Sequence, residues 1–191
     1  MKKPEYEILF CATQKEWEKW ISKNYDKVSG IWLKFAKKNS GVTSTNHSES
    51  LEVALCYGWI DSQAKSLDEK FYLQKFTPRG SRSIWSKINT EHIDRLIKEG
   101  RMKPTGLQRV EEAKKDGRWA AAYPSPKEAT VPKDFLALLS QHKKAEQFFK
   151  TLNKANTFAI TWRLQTAKKE ETRQGRMQQI LGMLERGEKF H

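Results

Sequence analysis

The chain is short of cysteine. Cys11 and Cys56 are the two present in 191 residues, too few for a disulfide framework. No C-x-x-C or H-x-x-x-H spacing occurs, so a structural zinc site is not expected, and no other metal or cofactor motif is found. Long apolar runs are missing as well. Nothing approaches the roughly 18 to 20 residues that a membrane-spanning helix needs. Behind Met1-Lys2-Lys3-Pro4-Glu5 the apolar stretch Ile8 to Ala12 is too short for a secretory signal, and the charged segment from Gln14 follows at once. The expectation is a cytoplasmic protein with free thiols. Low-complexity tracts and fixed-period repeats are also lacking.

Acidic residues are outnumbered. Asp and Glu total 23 against 36 Lys and Arg, for a net charge of +13. The excess lies mainly beyond residue 60. Lys70 to Thr90 holds Lys70, Lys75, Arg79, Arg82 and Lys87 with no acid, and Lys143 to Lys169 holds seven bases against Glu146 alone. Such stretches serve solubility or attract negatively charged partners. What the chain does have is large apolar groups, including seven Trp and nine Phe. That content excludes a disordered chain and implies a packed core.

Strand patterns come early. Glu7 to Ala12 reads as a strand, and Ile31, Leu33 and Phe35 alternate with Trp32 and Lys34 after Gly30. Between them Thr13 and Glu16 form a helix start, with Trp17, Trp20 and Ile21 at helical spacing up to about Asn24. Asn46 and Glu49 start a second helix that Gly58 ends. Trp59 to Asp61 and Phe71 to Phe76 are further extended segments. Helices follow: one closed by Gly100, one opened by Pro104 and closed by Gly117, and four from Lys133 onward. The expected class is α+β, a small antiparallel sheet with helices and then an all-helical C-terminal part. The expected divisions are an α+β domain over 1–122, a proline-containing linker over 123–132 and a helical module over 133–191.

Two constellations carry chemistry. In Cys56-Tyr57-Gly58-Trp59-Ile60-Asp61, desolvation by Trp59 would raise the pKa of Asp61 and suit it to acid–base work. Cys56 sits at a helix C-terminus, where the dipole disfavours a thiolate. The plainer reading is a core Trp and a paired carboxylate. The second constellation is the stretch from Tyr72 to Asn89. Arg79, Arg82, Ser83, Ser86, Lys87 and Asn89 offer donors to an anion there, and Phe76 and Trp85 offer stacking faces for a base. With Trp59 and Asp61 these are the expected ligand-binding residues. Against this, Ser83, Ser86 and Asn89 are also ordinary turn and cap residues. His47, His92, His142 and His191 are scattered and form no triad by sequence order.

The segments Leu55–Asp61, Phe76–Arg79, Ser83–Asn89 and Gly100–Met102 resemble the YdeI/OmpD-associated family, also called bacteriocin-protection proteins. The tail Ala167–Arg173, with a helix ending at Gly187, resembles the same family's C-terminal module, and the resemblance extends over roughly residues 5–190. It implies a bacterial or archaeal protein, with envelope association and defence against bacteriocins suggested by the family's name. Grouping with the YjbR/CyaY-like superfamily implies an α+β fold, with DNA binding proposed for some members. No catalytic residues come with the resemblance. Capture of cationic peptides fits poorly with +13, and so does iron binding on an acidic surface.

Three functions follow as expectations. The first is a non-enzymatic binding module for an anionic ligand or nucleic acid, at Arg79 and its neighbours. The second is a stress or bacteriocin-protection factor with a protein partner, acting through apolar C-terminal helices. The third is an enzyme on a small anionic substrate, with Asp61 as acid or base and Arg79, Arg82 and Asn89 orienting.

Overall fold

The computed structural model describes residues 6–191. Two compact units are present. One takes in the chain to Trp85 together with Asn89–Ala121, and the other takes in Ser86–Ile88 with Ala122–His191.

The first unit is built on local starts that the sequence advertises. Thr13 Oγ1 accepts from the Glu16 N–H at 3.2 Å and opens α1 (Gln14–Asn24) behind β1 (Ile8–Phe10). Asn46 Oδ1 accepts from the Glu49 N–H at 2.9 Å, and the Glu49 carboxylate accepts from the Asn46 N–H. This reciprocal cap opens α2 (His47–Cys56). Strands β2 (Ile31–Ala36), β3 (Trp59–Ser66) and β4 (Phe71–Pro78) complete a four-stranded sheet in the order β1-β2-β4-β3. The sheet is mixed rather than wholly antiparallel, because β1 runs parallel to β2 while β4 is antiparallel to both its neighbours. The physical reason is α1. A helical crossover returns the chain in the same direction, whereas the short turn between β3 and β4 reverses it.

Strand alternation divides the sheet into two faces. Ile31, Leu33 and Phe35 on β2 share one face with Gln74 and Phe76 on β4, and these side chains are buried. Trp17 of α1 packs against Phe76 there. Trp32 and Lys34 lie on the opposite face, with Leu73 and Lys75 opposite them on β4. In β3 the register shifts between Asp61 and Ala64, so that Asp61 pairs with Phe76 and Lys65 with Leu73.

Helices α3 (Lys87–Lys98) and α4 (Pro104–Lys115) follow. α4 lies close on α2 at Gly106. A Cβ on Gly106 would stand 2.2 Å from the Cys56 carbonyl oxygen, so only glycine lets the backbones approach this far. The second unit holds α5 (Lys133–Ser140), α6 (Lys143–Lys150), α7 (Lys154–Gln165) and α8 (Glu170–Glu185). Its core is Phe135, Leu139, Ile160, Leu164, Met177, Ile180, Leu181 and Leu184 with Ala145. On α7 the i, i+4 pair Ile160 and Leu164 is buried, while the pair Phe158 and Trp162 remains partly exposed. Ser86 bridges to Tyr123 within this unit, and the Lys87 N–H donates to the Tyr123 carbonyl at 2.9 Å.

Replacing Gly106 by Ala forces a methyl group into the Cys56 carbonyl. The expected loss is about 2 to 3 kcal/mol, which outweighs the roughly 1 kcal/mol helix preference of Ala. Gly175 on α8 has open space where its Cβ would be, so Gly175→Ala is expected to stabilise by about 0.5 to 1 kcal/mol. Denaturant titrations of the two variants check the opposite signs.

Candidate functional site

The turn after β4 binds its own arginine. Arg79 is 4% exposed. Its guanidinium carbon lies 3.6 Å from the ring centroid of Trp85, and Nη1 donates to the Ile84 carbonyl at 3.1 Å and to Ser83 Oγ at 3.3 Å. The Arg79 N–H donates to the Gly58 carbonyl. Trp85 is itself buried and packs on Trp119 at 5.0 Å between centroids. Arg118, paired with Asp116, donates to the Ser83 carbonyl at 3.0 Å. Arg79 and Trp85 are therefore committed to each other and to the turn. They do not form the open, wet anion site that the sequence suggests.

The remaining expected residues are dispersed. Phe76 is core, and Trp59 is core with its indole N–H donating to the Tyr25 carbonyl at 2.9 Å. Arg82 and Lys87 are exposed and Asn89 is half-buried. Ser86 and Lys87 belong to the second unit, whereas Arg82, Ser83 and Asn89 belong to the first. Asp61 is half-buried and bonds through Oδ2 to His47 Nε2 at 2.8 Å, with Gln74 Nε2 donating to the same oxygen at 3.4 Å. The His47–Asp61 pair joins the first turn of α2 to β3. Glu52 collects Arg95 and Arg101, with Glu99 bridging the two arginines. Among the described residues no group of three or more His, Cys, Asp or Glu side chains could hold a metal.

Neither thiol is poised to react. Cys11 and Cys56 are buried, and burial pushes each pKa up from 9.0 to about 11. At Cys56 the nearby Arg101 pulls the other way without overcoming burial.

The exposed chemistry of the first unit lies on the outer face of the sheet. Lys34 Nζ sits 4.5 Å from the Phe71 ring centroid and 5.0 Å from that of Phe10. Lys65 Nζ lies 4.3 Å over Trp32, and Lys75 Nζ 4.1 Å over Tyr6. Phe10 meets Phe71 edge-on at 6.1 Å. None of these three lysines stands in an ion pair among the described residues, and each ammonium rests on a π-face instead. Phe10 is 40% exposed, and the half-buried rings of Trp32, Phe71 and Tyr6 complete the surface. The alternation of Trp32 with Lys34 was visible in the sequence. Their convergence with Phe10, Lys65 and Phe71 is set by cross-strand register, which sequence order does not show.

No helix among the described residues is long and apolar enough to cross a membrane. A family model described as Domain of unknown function (DUF8412) matches residues 9–109. A second, described as Bacteriocin-protection, YdeI or OmpD-Associated, matches residues 128–187. The tail Ala167–Arg173 lies within the second match, whereas the motifs between Leu55 and Met102 lie within the first. Neither description names the YjbR/CyaY-like superfamily. No curated protein and no solved structure matches the chain.

Arg79→Ala is expected to cost about 3 kcal/mol of stability, because it removes a buried cation–π stack and charge-assisted hydrogen bonds. Arg82→Ala, on the exposed side of the turn, should stay within about 0.5 kcal/mol of the parent. Urea midpoints for the two variants separate a structural arginine from a solvated one. A disulfide exchange reagent at pH 8 should label neither cysteine in the native protein and both after unfolding, because each thiol titrates well above that pH. Rapid labelling of the native protein would contradict the burial.

Proposed function

We infer the function of this chain from one premise: it belongs to the family described as Domain of unknown function (DUF8412), whose model covers just over half of it, so the reading has to come from its own residues. We propose that the chain is a non-enzymatic binding module for nucleic acid, and that single strands are held on the outer face of the sheet. The observation that carries this reading is the trio Lys34, Lys65 and Lys75, each resting on an aromatic ring and none paired with a carboxylate among the described residues. Bases have two apolar faces and a phosphate between neighbours. A surface that alternates rings with ammonium groups matches both, with stacking contributing about 1 to 3 kcal/mol per base. The lysines swing from the rings to the phosphates as bases take their place. The +13 net charge assists association at a distance. Unpaired bases suit the site because a duplex keeps its base faces stacked on each other. A cytoplasmic setting, where thiols stay reduced, is part of this reading.

The match of residues 128–187 to a bacteriocin-protection model favours a second reading, in which the helical unit contributes a protective role through a protein partner. Asp61 enters neither reading, because His47 and Gln74 both bond to its Oδ2.

Fluorescence polarisation with a labelled single-stranded oligonucleotide tests the first reading. Neutralising three phosphates predicts a log–log salt slope of about −2, which weakens binding about 20-fold between about 50 and 200 mM salt. Trp32→Ala should lose about 1 to 3 kcal/mol of binding. The triple variant Lys34→Ala, Lys65→Ala, Lys75→Ala should flatten the salt dependence. Binding that is indifferent to salt, or unchanged in the triple variant, would overturn the proposal. Melting curves establish that the variants are folded.

A further inference from the structure

We propose that the helical unit carries a separate site for a small organic anion with an apolar body. The head group is held between Arg163 and Arg176, and the body fills the cavity beside them. Every residue of the site lies within the second unit.

The cavity is about 1000 Å³, at the upper end of what a small-molecule site offers. Tyr123, Leu152, Phe158 and Trp162 give it apolar walls, and Tyr123 meets Trp162 edge-on at 6.2 Å. Lys127, Lys154 and His191 also line it, and no Asp or Glu side chain does. A smaller pocket of about 220 Å³ shares Trp162 and Arg163 with it and adds Arg176, Gln179 and Phe190, again with no carboxylate side chain.

Charge identifies the head group. Arg163 donates through Nη1 to the Ala159 carbonyl at 2.9 Å and stacks on Phe190 at 3.7 Å. Arg176 donates through Nη1 to the Arg163 carbonyl at 2.6 Å and to Thr166 Oγ1 at 3.5 Å. A guanidinium has five N–H donors, so both side chains retain donors. Neither guanidinium stands in an ion pair among the described residues, although Arg109, Arg173 and Arg186 do. Two half-buried like charges at one pocket repel. Burial first, and then Arg176, hold the Arg163 guanidinium below the usual arginine range. An anion placed between them relieves the repulsion, and paired guanidinium donors fit a carboxylate or a phosphate. The apolar cavity next to the pair selects anions that carry a hydrocarbon or aromatic body over inorganic ions.

Isothermal titration of the full chain with octanoate, octyl phosphate, octanol and octylamine tests the proposal. An eight-carbon anion should bind at least about tenfold more tightly than octanol, as one charge-assisted hydrogen bond predicts, and octylamine should bind least. A preference for octanoate or for octyl phosphate identifies the head group, and either preference supports the site. Arg163→Met and Arg176→Met keep the apolar stems. Each should weaken the anion by about ten- to a hundred-fold while leaving octanol unchanged. If Arg163→Met does not fold, Arg176→Gln provides the same reading. Equal affinities for octanoate and octanol, no binding of any of the probes, or full anion binding by the Arg176 variants would overturn the proposal. A single-stranded oligonucleotide should not displace octanoate. The site therefore stands or falls independently of the sheet surface.

Discussion

Burying a guanidinium costs several kcal/mol unless its donors are met, and the chain meets part of that cost at Arg79, where Nη1 is bonded and the Nε–H is not. The Ile84 carbonyl, the Ser83 hydroxyl and the face of Trp85 converge on this side chain, and Trp85 in turn packs on Trp119. The end of β4 and the turn segment after α4 that holds Trp119 are thereby tied together. The same commitment removes the most conspicuous arginine of the sequence from the surface. Charge available to a ligand has to be sought elsewhere in the fold, and it is found where ammonium or guanidinium groups lack carboxylates.

The two units solve that problem differently. In the first, lysines stand on partly exposed aromatic rings across one sheet face, above a buried Leu73, a geometry suited to an extended polymer that alternates flat and charged groups. In the second, arginines flank a cavity between helices, a geometry suited to a compact guest with one charged end. Arg and Lys are not interchangeable in these roles. The planar fork fixes the orientation of a head group, while a flexible ammonium can follow a backbone.

Much of the architecture was legible because its signals are local. The caps at Thr13 and Asn46, Pro104 at a helix start and the left-handed glycines Gly100 and Gly117 act within a few residues of where they stand. The α+β class follows from the order of those elements. The direction of β1 was missed, since parallel pairing is decided by how α1 returns the chain. The site was read less well, for a related reason. Sequence places Arg79 among donors in either reading and cannot show that the turn closes over it. Lys34, Lys65 and Phe71 come from three strands, and Arg163 and Arg176 from two helices. What they share is position in space. The basic excess between Lys143 and Lys169 takes in Arg163 but not Arg176, and its other bases are all lysines.

The irregularity in β3 decides where opposite charges go. Asp61 and Lys65 are four positions apart, so a regular strand would point both to the same side of the sheet. The register shift between them puts Asp61 beside Phe76 and His47 on the helical side, and Lys65 over Trp32 on the other. One additional residue in the strand acts as a sorting device. It keeps the lone carboxylate of that strand away from the lysines, so the outer surface presents a single electrostatic sign.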